Sequence, residues 1–384
     1  SNNLRLIRNR FIFLSIILIA LIIILLSRSF YLQYIESDFL NAEGDKKHIK
    51  TLTIPSSRGT IYDRNSNPLA VSIPVSNLVV DPKIFLSSKR YQELSKSLAS
   101  VLKIDHSRLD QEVKKRSSRR YFILSRELEK DQVALINRLK KSNYFWLEKA
   151  YKRFNPNAEV TTQIIGFNDN KDQGQEGLEY ALNNYLSGQD GKKKAITDIG
   201  LNTIEDVEII KPAKQGKDFY TSIDVRIQYI AHAALNEGVN SFQAKKASAV
   251  VLDIKTGEVL AIVNNPSADM SNLELRLPKF YKNRALTDKF EPGSTFKPLI
   301  VATALEHGIF NSTDTIDTLP YSIGSREIKD PRYYGPLSLG EILIKSSNVG
   351  ASKISLSTDP ELFYEVLSKL GIGQTTTSGF PGET

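Results

Sequence analysis

The sequence holds no cysteine, one methionine, one tryptophan and four histidines among 384 residues. Missing thiols remove disulfide frameworks, thiolate nucleophiles and zinc–thiolate sites, while leaving the redox compartment undecided. His48, His106, His232 and His307 lie far apart, and none stands in an HExxH or comparable ligand spacing, so no metal and no cofactor is expected. Charge of one sign is also modest. Fifty-one basic against 43 acidic residues leave a net charge of +8, an excess but not a polycation. The densest basic run, KKRSSRRYF from Lys114 to Phe122, leads into YFIL and then a mixed-charge helical pattern, SRELEKDQVALINRLKK. It reads as a solvated surface, with an anionic lipid or glycan as the alternative and no nucleic-acid partner.

What is present is 41% apolar residues, enough for two or three folded units, and one long hydrophobic run. FIFLSIILIALIIILL, Phe11 to Leu26, measures about 24 Å at the helical rise. Flanking Arg10 and Arg28 can snorkel, and Phe30, Tyr31 and Tyr34 suit the interface. Arg28 to Tyr34 offers no small-residue cleavage site, which favours a retained anchor over a signal peptide. Arg5, Arg8 and Arg10 place the N-terminus in the cytoplasm and send the rest of the chain outside. The expected layout is a cytoplasmic tail at 1–10 and an anchor at 11–28.

Beyond the anchor, TLTIPSSRGTIYDRNSNPLAVSIPVSNLVVDP alternates around a turn at Asn65-Ser66-Asn67-Pro68 and predicts a hairpin. Helical periodicity follows around Tyr91–Leu102 and Leu128–Leu139, and Gly177–Leu186 reads as a short amphipathic helix. A new unit starts near Phe219. TSIDVRIQYIAHAALNEGV offers Ser222 or Asp224 as N-cap, an apolar stripe at Ile227, Ile230, Ala231, Ala234 and Leu235, and Gly238 past the end. ASAVVLDIKTGEVLAIV then predicts a hairpin in which Asp253 opens the turn and Gly257 supplies a positive φ.

The chemistry concentrates in EPGSTFKPLIVATALEHG, Glu291 to Gly308. Gly293 permits a tight entry, Ser294 begins a helix, and Leu299, Val301, Ala302 and Leu305 anchor its inner side before His307 and Gly308 close it. Ser294 and Lys297, three apart, share a face, which is the arrangement of a serine activated by an amine. The lysine must lose its proton through burial or a neighbouring cation, and the helix N-terminus would face the oxyanion. SxxK alone is common; Ser100 to Lys103 is a second copy in an ordinary helical pattern. The downstream KSSNVGASK adds Ser346, able to relay a proton beside Lys297, and Asn348, able to hold a substrate amide.

With these motifs in place, the chain resembles the class B penicillin-binding proteins, and among them the division-specific type of penicillin-binding protein 3. RGTIYDRNSNPLA and GQEGLEYALNNYLSGQDG look like the pedestal motifs, EPGSTFKP the nucleophile motif, SSNVG the second motif and LGIGQTTTSGFPGE the segment beyond. The resemblance implies an α+β fold with a single transmembrane helix, an elongated mixed α/β pedestal over 45–215 and the N-terminal part of a serine β-lactamase-like transpeptidase domain over 216–384. It also implies D,D-transpeptidation of peptidoglycan stem pentapeptides at the septum, with Ser294 as nucleophile, Lys297 as base, Ser346 as proton relay and Asn348 positioning substrate and lysine. β-Lactams would acylate the same serine. A polytopic membrane glycosyltransferase and other division proteins in the inner membrane are the implied partners.

The family's third motif, Lys-Ser/Thr-Gly on a cleft-lining strand, has no match after Asn348, so the chain is expected to be a piece trimmed at both ends and inactive by itself. Lys255-Thr256-Gly257 spells that motif. It falls upstream of the nucleophile at a hairpin tip and is read as a turn. The alternatives are an elongation-specific transpeptidase, a β-lactam sensor and a non-catalytic scaffold of the division machinery.

Overall fold

A computed structural model describes residues 2–36, 49–139, 144–197, 203–376 and 378–383. The expected domain limits at 1, 45 and 384 lie outside the described residues. The architecture is α+β. Chain contacts divide it into a first unit (1–156, 168–173 and 182–222) and a second (157–167, 174–181 and 223–384).

The first unit opens with α1, Asn2–Phe30, which also takes in most of the stretch expected as a tail. Ile12–Ile35 is long and apolar enough to cross a membrane, and none of it is buried by protein. Where the apolar run ends, Arg28 lies 5.3 Å over the Tyr31 ring, and Phe30 stacks on Tyr34 at 4.8 Å. That is the aromatic and cationic collar expected at a headgroup boundary.

The strand-rich stretch after the anchor divides between two sheets. β1 (Ile49–Ile54) pairs antiparallel with β6 (Gly191–Thr197), which pairs in turn with β7 (Thr203–Lys211). The predicted hairpin is β2 (Ile61–Tyr62) and β3 (Pro68–Val80). Its turn is held by Asp63, whose carboxylate accepts from the amides of Asn65 and Asn67 at 2.7 and 2.8 Å, and Ser66 takes φ 64°. β3 is the spine, pairing also with β4 (Phe122–Leu128) and β5 (Phe145–Phe154); β8 (Phe219–Tyr220) joins β2 in parallel.

Helices cover the end of β3 where Leu78, Val79 and Val80 are buried. Asp81 caps α2 (Pro82–Ser87). In α3 (Tyr91–Leu102) the buried Tyr91, Leu94, Ser95, Leu98, Ala99 and Leu102 repeat at helical spacing, so one stripe enters the core. With α4 (His106–Lys114) and α5 (Lys130–Leu139) it closes over Leu78, Val80, Phe85 and Phe145. Leu128, expected in a helix, ends β4 instead. The basic run spans the end of α4 and the loop before β4, where most of it is exposed.

The two pedestal-like motifs meet at Arg58, only 2% exposed. Its Nη1 donates to the Asp172 carbonyl, Asn183 Oδ1 and Ser187 Oγ at 3.2, 2.9 and 2.8 Å. Beside it the Gly59 amide donates to the Leu186 carbonyl at 2.8 Å, and a Cβ on Gly59 would run into the backbone of Lys217. Gly177–Leu186 itself is two short turns, Gly177–Ala181 and Asn183–Leu186.

In the second unit α6 (Val225–Phe242) is capped by Asp224 and packs on the hairpin of β9 (Ala247–Leu252) and β10 (Val259–Asn265). Its buried side chains are Gln228 and His232, whereas Ile230, assigned to the inner stripe, is 67% exposed. The reason is polar: Gln228 accepts from the Ile262 amide and donates to the Ile262 carbonyl, both at 2.9 Å, so a side-chain amide stands in for a neighbouring strand on β10. Gly238, expected past the end, lies within the helix.

The rest of this unit is a helical layer over short strands. α7 (Lys297–Glu306), β11 (Thr315–Asp317), β12 (Tyr321–Ile323), β13 (Arg326–Ile328), β14 (Pro336–Ser338), α8 (Leu339–Lys345), α9 (Asn348–Ser357) and α10 (Pro360–Lys369) follow in order. Val301, Ala304, Ile316, Leu337, Leu339, Ile342, Ala351 and Ile354 form their common core. Within α7 the buried residues are Lys297, Val301, Thr303 and Ala304; Ala302 and Leu305, expected on the inner side, are exposed.

Arg58→Ala removes a buried cation together with its hydrogen bonds to Asp172, Asn183 and Ser187, and leaves those acceptors short of a donor. We expect a stability loss of about 2–4 kcal/mol, measured by urea unfolding, with Arg58→Lys recovering less than half because an ammonium lacks the planar reach.

Candidate active site

The sequence around Ser294 folds in two steps. Gly293–Phe296 is a single 3₁₀ turn, and the α-helix α7 starts only at Lys297. This corrects the expectation that the helix begins at the serine. The cause is Pro298: in an α-helix begun at Ser294 the Ser294 carbonyl would accept from the amide of residue 298, and proline has none. The Lys297 amide takes that carbonyl instead, which tightens the turn. Ser294 is left exposed one turn ahead of a buried lysine, and Gly293 enters at φ 58°.

Lys297 is 8% exposed. Its Nζ donates to the Ser346 carbonyl at 2.6 Å, to Ser346 Oγ at 3.1 Å and to Asn348 Oδ1 at 2.8 Å. Three of the four singled-out residues therefore converge by direct contact across 49 to 51 residues of sequence. Ser294 joins them through the backbone turn. Burial depresses the proton affinity of Lys297 below that of an ordinary lysine, and the carboxylate of Asp330 partly restores it. The three acceptors match the three donors of an ammonium; the neutral amine has a lone pair to spare.

The second motif is a junction between two helices. Ser346 closes α8 in the left-handed region at φ 52°, with its amide on the Leu343 carbonyl at 3.1 Å. A non-glycine residue held there is strained, and strain of this kind gathers at functional positions. Ser347 then caps α9, its Oγ accepting from the Gly350 amide at 2.8 Å, and Asn348 is the first helical residue. Helix α8 begins in a capping box between Ser338 and Glu341. One residue in αL followed by one cap thus brings Ser346 Oγ and Asn348 Oδ1 onto the same amine.

Reading the sequence missed Asp330 and Ser347. Asp330 Oδ2 accepts from Ser347 Oγ at 2.6 Å, and Oδ1 accepts from the amides of Asn348 and Val349 at 2.5 and 3.2 Å. No spacing rule ties an aspartate in IKDPRYYG to a helix start 18 residues on. Lys255-Thr256-Gly257 is elsewhere, at the tip of the β9–β10 hairpin. The amides of Lys255 and Thr256 donate to Asp253 Oδ1 at 2.8 and 3.2 Å, and Gly257 takes φ 76°. At Ser100–Lys103, Lys103 is the C-cap of α3.

Comparison with known proteins bears on the chain as a whole. Residues 53–221 match the Penicillin-binding Protein dimerisation domain, and residues 247–384 match the Penicillin binding protein transpeptidase domain. The chain is 36% identical over 361 residues to peptidoglycan D,D-transpeptidase FtsI of Escherichia coli (strain K12), covering 94% of this chain and 61% of that protein. It is 36% identical over 379 residues to the probable peptidoglycan D,D-transpeptidase PenA of Neisseria meningitidis serogroup A, covering 97% and 64%. Among solved structures, penicillin binding protein 2X from Streptococcus thermophilus superposes with a TM-score of 0.66 at 25% identity, over 87% of this chain and 54% of that one. The chain thus spans less than two thirds of the length of these relatives. With both domain families matched in order along it, the chain belongs to the class B penicillin-binding proteins.

Proposed function

We propose that this protein is a division-specific peptidoglycan D,D-transpeptidase working through a serine acyl-enzyme. In this reading residues 1–10 are the cytoplasmic tail, 11–28 the inner-membrane anchor, 45–215 the periplasmic pedestal and 216–384 transpeptidase domain. The observation that carries it is the buried Lys297 amine, held by Ser346 and Asn348 one turn from exposed Ser294.

Ser294 Oγ attacks the carbonyl carbon of the penultimate D-alanine of a stem pentapeptide. Its proton passes to the neutral Lys297 amine, either directly or through the Ser346 hydroxyl. The Oγ–C bond forms, the bond to the terminal D-alanine breaks, and the leaving amine takes the proton. An amino group of a neighbouring stem then attacks the acyl-enzyme and releases Ser294. Asn348 has its Oδ1 on Lys297, and its Nδ2, which reaches the Lys329 carbonyl at 3.5 Å, has a second hydrogen to meet a substrate carbonyl. A β-lactam enters the same first step and stays on the serine. Strand synthesis falls to a polytopic membrane glycosyltransferase, which with other division proteins would share the bilayer reached by α1.

Ser294→Ala in the intact protein is expected to abolish covalent labelling by a fluorescent penicillin; retained labelling would sink the assignment. Lys297→Ala should lower the acylation rate by about 10³-fold with the fold intact, since the base disappears; stopped-flow acylation within tenfold of the parent would exclude it as base. Lys255→Ala should stay within about threefold of the parent in the same assay, as expected of an exposed turn residue.

A further inference from the structure

Asp330 follows the short hairpin of β12 and β13 and belongs to neither sequence motif, yet it is buried beneath the second one. The start of a helix leaves its first amides without intrahelical partners. At α9 the amides of Asn348 and Val349 go to Asp330, and that of Gly350 goes to Ser347 Oγ, itself donating to Asp330. One carboxylate thus fixes the backbone at 348 and 349 and the side chain at 347, while Asn348 Oδ1 and the preceding Ser346 receive Lys297. A negative group at this end of α9 also complements the helix dipole.

Resting on the functional reading above, we propose that Asp330 is a positioning residue of the serine–lysine site, locking the Ser346–Asn348 turn so that its acceptors gather on the Lys297 amine, and placing a fixed negative charge near that amine. The elements packed against α7 carry few rivals for that electrostatic role. Glu341 is engaged in the cap of α8, Lys353 of α9 donates to the Asp317 carbonyl, and Glu365 and Lys369 of α10 pair with each other. Lys345 ends α8 and Glu361 begins α10, both exposed. Asp330 is the charged group whose field acts on Lys297, opposing the effect of burial.

The test compares the intact parent protein with Asp330→Ala and Asp330→Asn by the rate of acylation with a fluorescent penicillin as a function of pH. Asparagine can still offer an oxygen to the Asn348 and Val349 amides and an NH₂ to Ser347 Oγ, but carries no charge. We expect Asp330→Ala to lose about 100-fold, in line with the loss of the three charge-assisted hydrogen bonds that hold the turn. Asp330→Asn should stay within about tenfold, with the acidic limb of its profile displaced to lower pH, because the negative charge that keeps the proton on Lys297 is gone. An alanine variant within about threefold of the parent, or an asparagine variant whose limb does not move, overturns the proposal. Should the alanine variant fail to fold, the asparagine profile decides. Should the parent itself take no label, the functional reading fails, and the positioning role is decided by ¹⁵N-lysine NMR titration. A Lys297 resonance that titrates at lower pH in Asp330→Asn supports it, and an unmoved one overturns it.

Discussion

A lysine amine removed from water has to be given acceptors, and the second unit is organised around that requirement at Lys297. Its three acceptors, the carbonyl and hydroxyl of Ser346 and the side-chain oxygen of Asn348, come from the point where α8 stops and α9 starts. Each neighbouring feature follows from keeping that junction still. Ser346 turns the chain through the left-handed region, Ser347 and Asp330 absorb the amides of α9, and the Ser338–Glu341 box anchors the far end of α8. The apolar core shared by α7, α8 and α9 sets the distance between the lysine and the junction.

Burial and hydrogen bonding act on Lys297 in opposite senses. Removal from water favours the neutral amine, while three oxygens at 2.6 to 3.1 Å and the nearby Asp330 favour the ammonium. In the role of base proposed for Lys297, both influences act at once. An amine buried without acceptors would stay neutral but wander among rotamers; one fully paired with a carboxylate would keep its proton. By placing the carboxylate on the backbone of the junction instead of on the amine, the structure supplies charge at a remove.

Much of this was legible where local chemistry decides the outcome. The helix at Tyr91–Leu102, the turn at Asn65–Pro68 and the Asp253–Gly257 turn all depend on residues within a few positions of each other and appear as read, while the structure chooses Asp224 over Ser222 as the cap of α6. Lys297, Ser346 and Asn348 were legible because their motifs carry the family's wording. What was not legible required partners remote in sequence. Nothing in VRIQYIAHAALNEG says that Gln228 will serve a strand and turn Ile230 outward. Nothing near Asp330 announces the helix it caps. The late start of α7 was legible in principle, since Pro298 stands in plain view, but its effect falls four residues earlier on the carbonyl of Ser294.

The separation of 49 residues between Lys297 and Ser346 bears on how the site comes into being during folding. Contacts this distant require a large loop to close first, so they are entropically late compared with the turns of α7 or α9. Until the core of Val301, Ile342 and Ile354 has condensed, the amine stays solvated and protonated and the serine beside it is an ordinary alcohol. On the proposed role of Ser294, a partly folded chain carries no reactive nucleophile, and reactivity appears together with native packing.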